Sequence, residues 1–190
     1  MLDDLRALGL FSFAEHSYMR AEAMDLFERC LTEGKPDCLQ AFIEQQLLHE
    51  PPRLQLLQDI AEDLHQRLLS LREYHFDVRD RVLRALRDDF KVDITPLVPS
   101  NAVESYHLMQ LADAVQSIRA QNTNLTDQDT VLLNNMLEAS LEIAAQLQGD
   151  IAMTEHLYRY IVDWLNGLHV ISARRAWTEH WDQKPAEGLH

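Results

Sequence analysis

One stretch constrains this chain more than any other: residues 52–90, PRLQLLQDIAEDLHQRLLSLREYHFDVRDRVLRALRDDF, 39 residues with no glycine and no proline after the first position. Its apolar residues return at alternating steps of four and three, through Leu57, Ala61, Leu64, Leu68, Leu71, Val78, Val82 and Ala85 or Leu86. That period is the seam of one long helix buried along one side. A single polar residue, His75, interrupts the seam. At 1.5 Å per residue such a helix is close to 60 Å long, more than a compact domain of this size accommodates. The expectation is therefore a bend near Tyr74 to Asp77, or an end covered by a second subunit.

The flanking segments read as further helices. Ser12 with Glu15 forms a capping-box pattern for a helix to about Glu33 with Phe13, Met24, Phe27 and Leu31 inward, ended by Gly34 and Pro36. Asp37 is the expected cap of a shorter helix burying Leu39, Phe42, Ile43 and Leu47, which must stop before Pro51 and Pro52. After the long helix, KVDITPLVPS is an extended crossover. Asn101 with Glu104 opens a helix to about Gln121 with Leu108, Leu111, Val115 and Ile118 inward. Thr126, with Asp127 and Asp129 in the first turn, opens another carrying Leu133, Met136, Leu137, Ala144 and Leu147, which Gly149 is expected to end. The last helix starts at Asp150 or Thr154, turns Leu157, Ile161, Trp164, Leu168 and Ile171 inward, and runs to Trp181. Gly167 inside it suggests a close helix contact or a kink.

No segment alternates as a strand does, and no repeat appears. The chain reads as all-α: a single-domain bundle of six to seven helices over residues 1–182, built around the long central helix, with no sheet. Residues 1–11 form a short N-terminal helix or arm, and residues 183–190 a flexible tail.

Charge narrows the partners. The chain of 190 residues carries 17 bases and 31 acids, a net −14 with histidine neutral. Residues 51–91 hold 8 bases and 8 acids, whereas residues 92–148 hold 1 and 7. The central helix is thus the neutral segment of an acidic molecule. This balance disfavours direct binding to nucleic acid or to anionic membrane surfaces and leaves another protein, or a second copy, as the expected partner. No window is apolar enough for a membrane span, and the acidic N-terminus is unlike a secretory leader, so the expected location is cytoplasmic. Cys30 and Cys38 flank a predicted turn and can approach each other, as a disulfide or as the reduced, half-buried thiols that an intracellular setting favours.

Several motifs carry residue types that chemistry uses. Glu62 with His65 and Glu104 with His107 are Glu-x-x-His pairs, the half-sites used by bundles that bind two iron or manganese ions. The seam turns Glu62 toward water, and Glu104 is accounted for by capping, so no metal site and no cofactor is assigned. His75, buried in the seam, is the one candidate for binding a tetrapyrrole-like group, against the plainer reading of a hydrogen-bonded core histidine. His16, His156 and His169 can also face inward at helix edges. Arg79, Arg84 and Arg87 lie in the arginine-rich half of the central helix, either as a solvated face laced with i, i+4 pairs or as a grip for an acidic surface. Trp177 and Trp181, one turn apart beside Arg174 and Arg175, have the composition of a binding hot spot, with core packing as the alternative. No nucleophile elbow or phosphate-binding glycine loop is present.

The expected function is a non-enzymatic interaction module, an adaptor, assembly factor or regulator, acting as a homodimer through a helical surface. The alternative is a histidine and carboxylate bundle holding a metal or tetrapyrrole.

Overall fold

The helix announced by the long seam is present. In the computed structural model, which describes residues 10–49, 52–92 and 125–182, helix α3 spans Leu54–Asp88 and continues without interruption through Tyr74 to Asp77. Side chains are described for residues 12–49, 52–92 and 125–170. Three other α-helices accompany it among the described residues, α1 at Leu10–Glu33, α2 at Asp37–Phe42 and α4 at Asp127–Asp182, with no strand. The N-terminal helix or arm expected over residues 1–11, the helix expected over residues 101–121 and the crossover at KVDITPLVPS fall largely or wholly outside the described residues, as does the tail. No described helix is long and apolar enough to cross a membrane.

Local chemistry sets most boundaries. Thr126 caps α4 reciprocally: its Oγ1 accepts the Asp129 N–H at 3.1 Å, while the Asp129 carboxylate accepts from the Thr126 hydroxyl at 2.7 Å and from its N–H at 3.3 Å. This is a capping box with aspartate in the third position. Gly34, at φ +66°, ends α1 in the left-handed region that glycine enters without strain. Other expected caps differ. α1 is already helical at Leu10, before Ser12, and Asp37 is the first residue of α2, preceded by Pro36 with no side-chain cap. α2 then widens into a π-helical segment, Ile43–Leu47, before the chain turns at Arg53, whose N–H reaches the Leu47 carbonyl at 2.9 Å.

The main correction concerns α4. Gly149 does not end it; the helix runs 56 residues from Asp127 to Asp182, through Gly149 and Gly167. Nor does Gly167 mark a close approach, since nothing lies within 4 Å of where a Cβ would stand at either glycine. The intrinsic cost of glycine in a helix, about 1 kcal/mol relative to alanine, is too small to break a helix whose apolar stripe is buried on both sides of it.

The chain divides into two compact units. The first comprises residues up to Gln66 and from Met153 onward. Its core joins Ala23, Phe27 and Cys30 of α1, Leu39, Phe42, Ile43 and Leu47, Leu57, Ile60 and Leu64 of α3, and Leu157, Ile161 and Leu165 of α4. The second comprises Arg67–Ala152, with Leu71, Val78, Val82 and Leu86 of α3 and Val92 packed with Leu133, Leu137, Ala144 and Leu147 of α4. Burying each leucine, isoleucine, valine or phenylalanine among them contributes about 1.5–3 kcal/mol. Two expected core residues are on the surface instead: Phe13 is 70% exposed and Trp164 is 39% exposed. In the latter stripe Leu165 takes the buried place, because the line from Leu157 through Ile161 advances by four again rather than three.

Candidate interaction surface

The buried seam of α3 determines what its opposite side presents. In the second unit the seam passes through Leu71, His75, Val78, Val82 and Leu86, all buried. On a helix of 3.6 residues per turn this turns Leu69, Glu73, Phe76, Asp80, Arg84 and Arg87 outward on one face. Leu69 and Phe76 stand there 46% and 44% exposed. Leu83 follows seven residues later at the edge of the same stripe, half-buried against the core. An exposed apolar recurrence of seven is the spacing by which one helix meets another.

The arginines of this half are held locally. Arg81 pairs with Asp77 one turn before it, Arg87 pairs with Asp88 at 2.8 Å, and Arg79 reaches Asp80 at 3.5 Å. Arg84 donates to the Asp80 main-chain carbonyl at 3.3 Å, not to a carboxylate as its spacing from Asp80 and Asp88 suggests. Asp88 instead takes Arg87, whose guanidinium, helped by the Lys91 ammonium and the Arg84 charge, holds the Asp88 carboxyl below its ordinary value. The Arg81 and Arg87 pairs are exposed and contribute little individually.

Two groups at the inner edge of this surface lack partners. His75 is 5% exposed, and its Nε2 has no hydrogen-bond partner. One turn on, the buried Nε of Arg79 also has none, although its guanidinium lies 5.9 Å from the centre of the Phe76 ring. Phe76 in turn meets the His75 ring edge-on at 6.3 Å. Burial, and then the Arg79 charge, lowers the His75 pKa from its ordinary value of 6.5, so the ring is neutral at pH 7. An unpartnered buried polar atom carries a desolvation cost of roughly 1–3 kcal/mol.

Beside this region, a groove of about 410 Å³ opens between α3 and α4 of the second unit. Leu71, Tyr74, Ile143 and Leu147 supply its apolar surface, and Arg67, Ser70, Gln146 and Asp150 its polar rim. Tyr74 and Ile143 are both exposed large side chains. The arrangement suits an apolar side chain entering from outside, bordered by charge of both signs.

The remaining sequence candidates separate. Glu62 is exposed and accepts from Gln66 at 2.7 Å. His65 lies against Tyr158 with ring centres 5.5 Å apart, its Nδ1 buried and unpartnered. His16 bonds Asp59 at 2.8 Å, His156 is exposed beside Gln40 at 3.3 Å, and His169 is exposed, so none of the three lies in the core. Among the described residues no three His, Cys, Asp or Glu side chains are grouped to hold an ion. Glu104 and His107 lie outside the described residues. α4 carries the backbone of Arg174, Arg175, Trp177 and Trp181, whose side chains are outside the described set.

Sequence reasoning did not identify Leu69, Phe76 or the groove. The spacing of Leu69, Phe76 and Leu83 was available to find the stripe; the groove depends on pairing α3 with residues 143–150, which no local pattern encodes. No family model, no curated protein and no solved structure matches this chain.

Proposed function

We propose that this chain is a non-enzymatic interaction module that self-associates, with the outward stripe of α3 meeting the same stripe of a second copy. The observation that carries this reading is the exposed recurrence of Leu69 and Phe76, continued by Leu83, opposite a fully buried seam. Charge supports a second copy as the occupant. Glu73 lies near one end of the stripe and Arg84 and Arg87 near the other, so an antiparallel copy sets the basic end of each against the acidic position of its partner. The neutral balance of residues 51–91 within a chain of net −14 removes the repulsion that two copies meet elsewhere.

Sedimentation velocity over a wide concentration range tests this. The wild-type chain is expected to sediment as a dimer, and the double variant Leu69→Ser, Phe76→Ser as a monomer with unchanged helical circular dichroism. A charge reversal at Arg84 and Arg87 weakens the dimer, and adding Glu73→Arg restores it. A wild-type monomer at the highest concentration, or a dimer indifferent to these changes, defeats the reading. Trp177 and Trp181 with Arg174 and Arg175 are proposed as a second contact, for a different protein, and Trp→Ala changes there leave the dimer intact.

One observation favours a second reading. His75 Nε2 has no hydrogen-bond partner, and in the tautomer protonated on Nδ1 it offers the lone pair that a haem-like group would take. Titration with haem, read by its visible band in wild type and in His75→Leu, tests it; no band that depends on His75 removes this reading.

A further inference from the structure

The end of α1 brings the two cysteines together. Gly34 reverses the chain, and the Lys35 N–H returns to the Cys30 carbonyl at 3.2 Å, the six-to-one bond of a glycine-ended helix. α2 begins two residues later, and its first turn sets Cys38 against the last turn of α1. The two Sγ atoms stand 2.8 Å apart as free thiols, and the Cys38 thiol also donates to the Leu26 carbonyl at 3.3 Å.

The two environments differ. Cys30 is wholly buried, and its thiol is pushed up to about 11, first by burial and then by its hydrogen bond with Cys38. Cys38 is half-buried, the more exposed of the two. No third ligand joins them, since no group of three His, Cys, Asp or Glu is assembled among the described residues.

We propose that Cys30 and Cys38 form a reversible oxidation site, a dithiol converted to an intramolecular disulfide by a low-molecular-weight disulfide such as glutathione disulfide. Cys38, the less buried thiol, loses its proton to solvent and attacks one sulfur of glutathione disulfide, forming a mixed disulfide and releasing one glutathione thiol. Cys30, already in contact, then loses its proton and attacks the Cys38 Sγ, expelling the second glutathione as a thiol. Two protein thiols are oxidised and one glutathione disulfide is reduced to two thiols. The raised pKa of Cys30 makes the second step the slower one per collision, and the contact between the sulfurs offsets this by proximity.

The bond would staple α2 to α1. α2 and its π-helical extension carry Leu39, Phe42, Ile43 and Leu47 into the core. They also hold α4 through Gln40 on His156 and through Glu44, which accepts from the Tyr160 hydroxyl at 2.6 Å. Oxidation would therefore rigidify the first unit without touching the α3 stripe, and this inference does not depend on self-association.

The test uses the reduced full-length protein in buffers of increasing glutathione disulfide, followed by acid quench, thiol alkylation and mass mapping. The expected product is two hydrogens lighter, links Cys30 to Cys38, reverts with dithiothreitol and melts several degrees higher. Cys30→Ser is expected to accumulate one glutathionyl group on Cys38, and Cys38→Ser to react at least about tenfold more slowly than wild type because only the buried thiol remains. Stable glutathione adducts without the lighter species, or no reaction at all, overturn the proposal. Should either serine variant fail to fold by circular dichroism, the alkylation order in native wild type decides: Cys38 before Cys30 supports the assignment, and equal rates oppose it.

Discussion

The two units solve the same packing problem by different means. In the first, residues far apart in sequence are tied by polar contacts as well as by the core. Arg20 grips Asp63 with two bonds of 2.6 Å, His16 meets Asp59 at 2.8 Å, Arg53 meets Glu15 at 2.7 Å, and Tyr160 donates to Glu44. In the second, the core consists of leucines, valines and Ala144, with no buried aromatic among the described residues, and its seam includes His75 with an orphaned nitrogen. The arginine pairs along Asp77–Asp88 stay within a turn of their own helix. A polar contact between helices specifies their register, whereas an apolar core of small side chains tolerates several. The register of the first unit is thus specified by polar contacts as well as by burial, and the second, whose buried seam holds an unpartnered His75 nitrogen, presents the exposed stripe and the groove.

The largest expected effect tests the first half of this comparison. Phe27 is wholly buried, and Phe27→Ala is expected to destabilise the first unit by about 3–5 kcal/mol through lost burial and the cavity left behind. Hydrogen exchange resolved along the chain should show the loss in α1, α2 and residues 153–165. Equal loss over residues 127–150 would mean that the two units unfold as one.

The next effect has the opposite sign. His75→Leu replaces an unpartnered buried ring by a side chain that asks for no hydrogen bond, and is expected to stabilise the second unit by roughly 1–3 kcal/mol in urea denaturation. It should also change the pH profile. The folded-state pKa of His75 lies below the ordinary 6.5, so the unfolded chain binds more protons between the two values. The stability associated with a neutral His75 is complete above about pH 6.5 and is lost as pH falls toward the folded value. His75→Leu should remove that part of the acid sensitivity. Destabilisation by this change, with the pH profile intact, would show that the ring is not a liability.

How much of this was legible follows from where each constraint resides. The seam from Leu57 to Leu86 was legible in full because helical period is a local property, and every residue on it is buried or nearly so. His75 was identifiable as the break in that seam, though its lack of a partner was not, since partners come from other segments. The Thr126 cap was legible, as its partner lies three residues away. Phe13 and Trp164 were misplaced because each lies at the margin of a stripe, where a shift of one residue decides between core and solvent. Gly149 was misread because propensity is weak beside tertiary burial: Ala144 and Leu147 before it and Leu157 after it are packed, and the helix follows them.

Gly149 is exposed, helical and clear of neighbours, so Gly149→Ala should stabilise α4 by about 1 kcal/mol with no steric penalty. The gain should appear as slower hydrogen exchange around residues 145–152. If the second unit is the less firmly specified, the same substitution at Gly167, in the first, should change exchange less. A loss of stability at Gly149 would indicate that the helix bends there.

The smallest expected effect bears on the polar ties of the first unit. Arg20 is partly exposed, so its bidentate pair with Asp63 is screened by solvent, and Arg20→Gln should cost only about 0.2–1 kcal/mol. Its diagnostic value lies in salt and pH. The same arginine lies 3.9 Å from Asp59, whose carboxyl is held below 3.8 first by the Gln55 hydrogen bond, then by that from His16, and more weakly by the Arg20 charge. The stability contributed by Asp59 is complete above that ordinary value and is lost as pH falls through the lower folded one. Removing Arg20 should therefore shrink the acid-sensitive part slightly and leave most of it, because the two hydrogen bonds persist. If Arg20→Gln costs as much as Phe27→Ala, or abolishes the acid dependence altogether, the polar ties support the first unit by more than register, and the contrast with the second unit is one of total stability as well as specification.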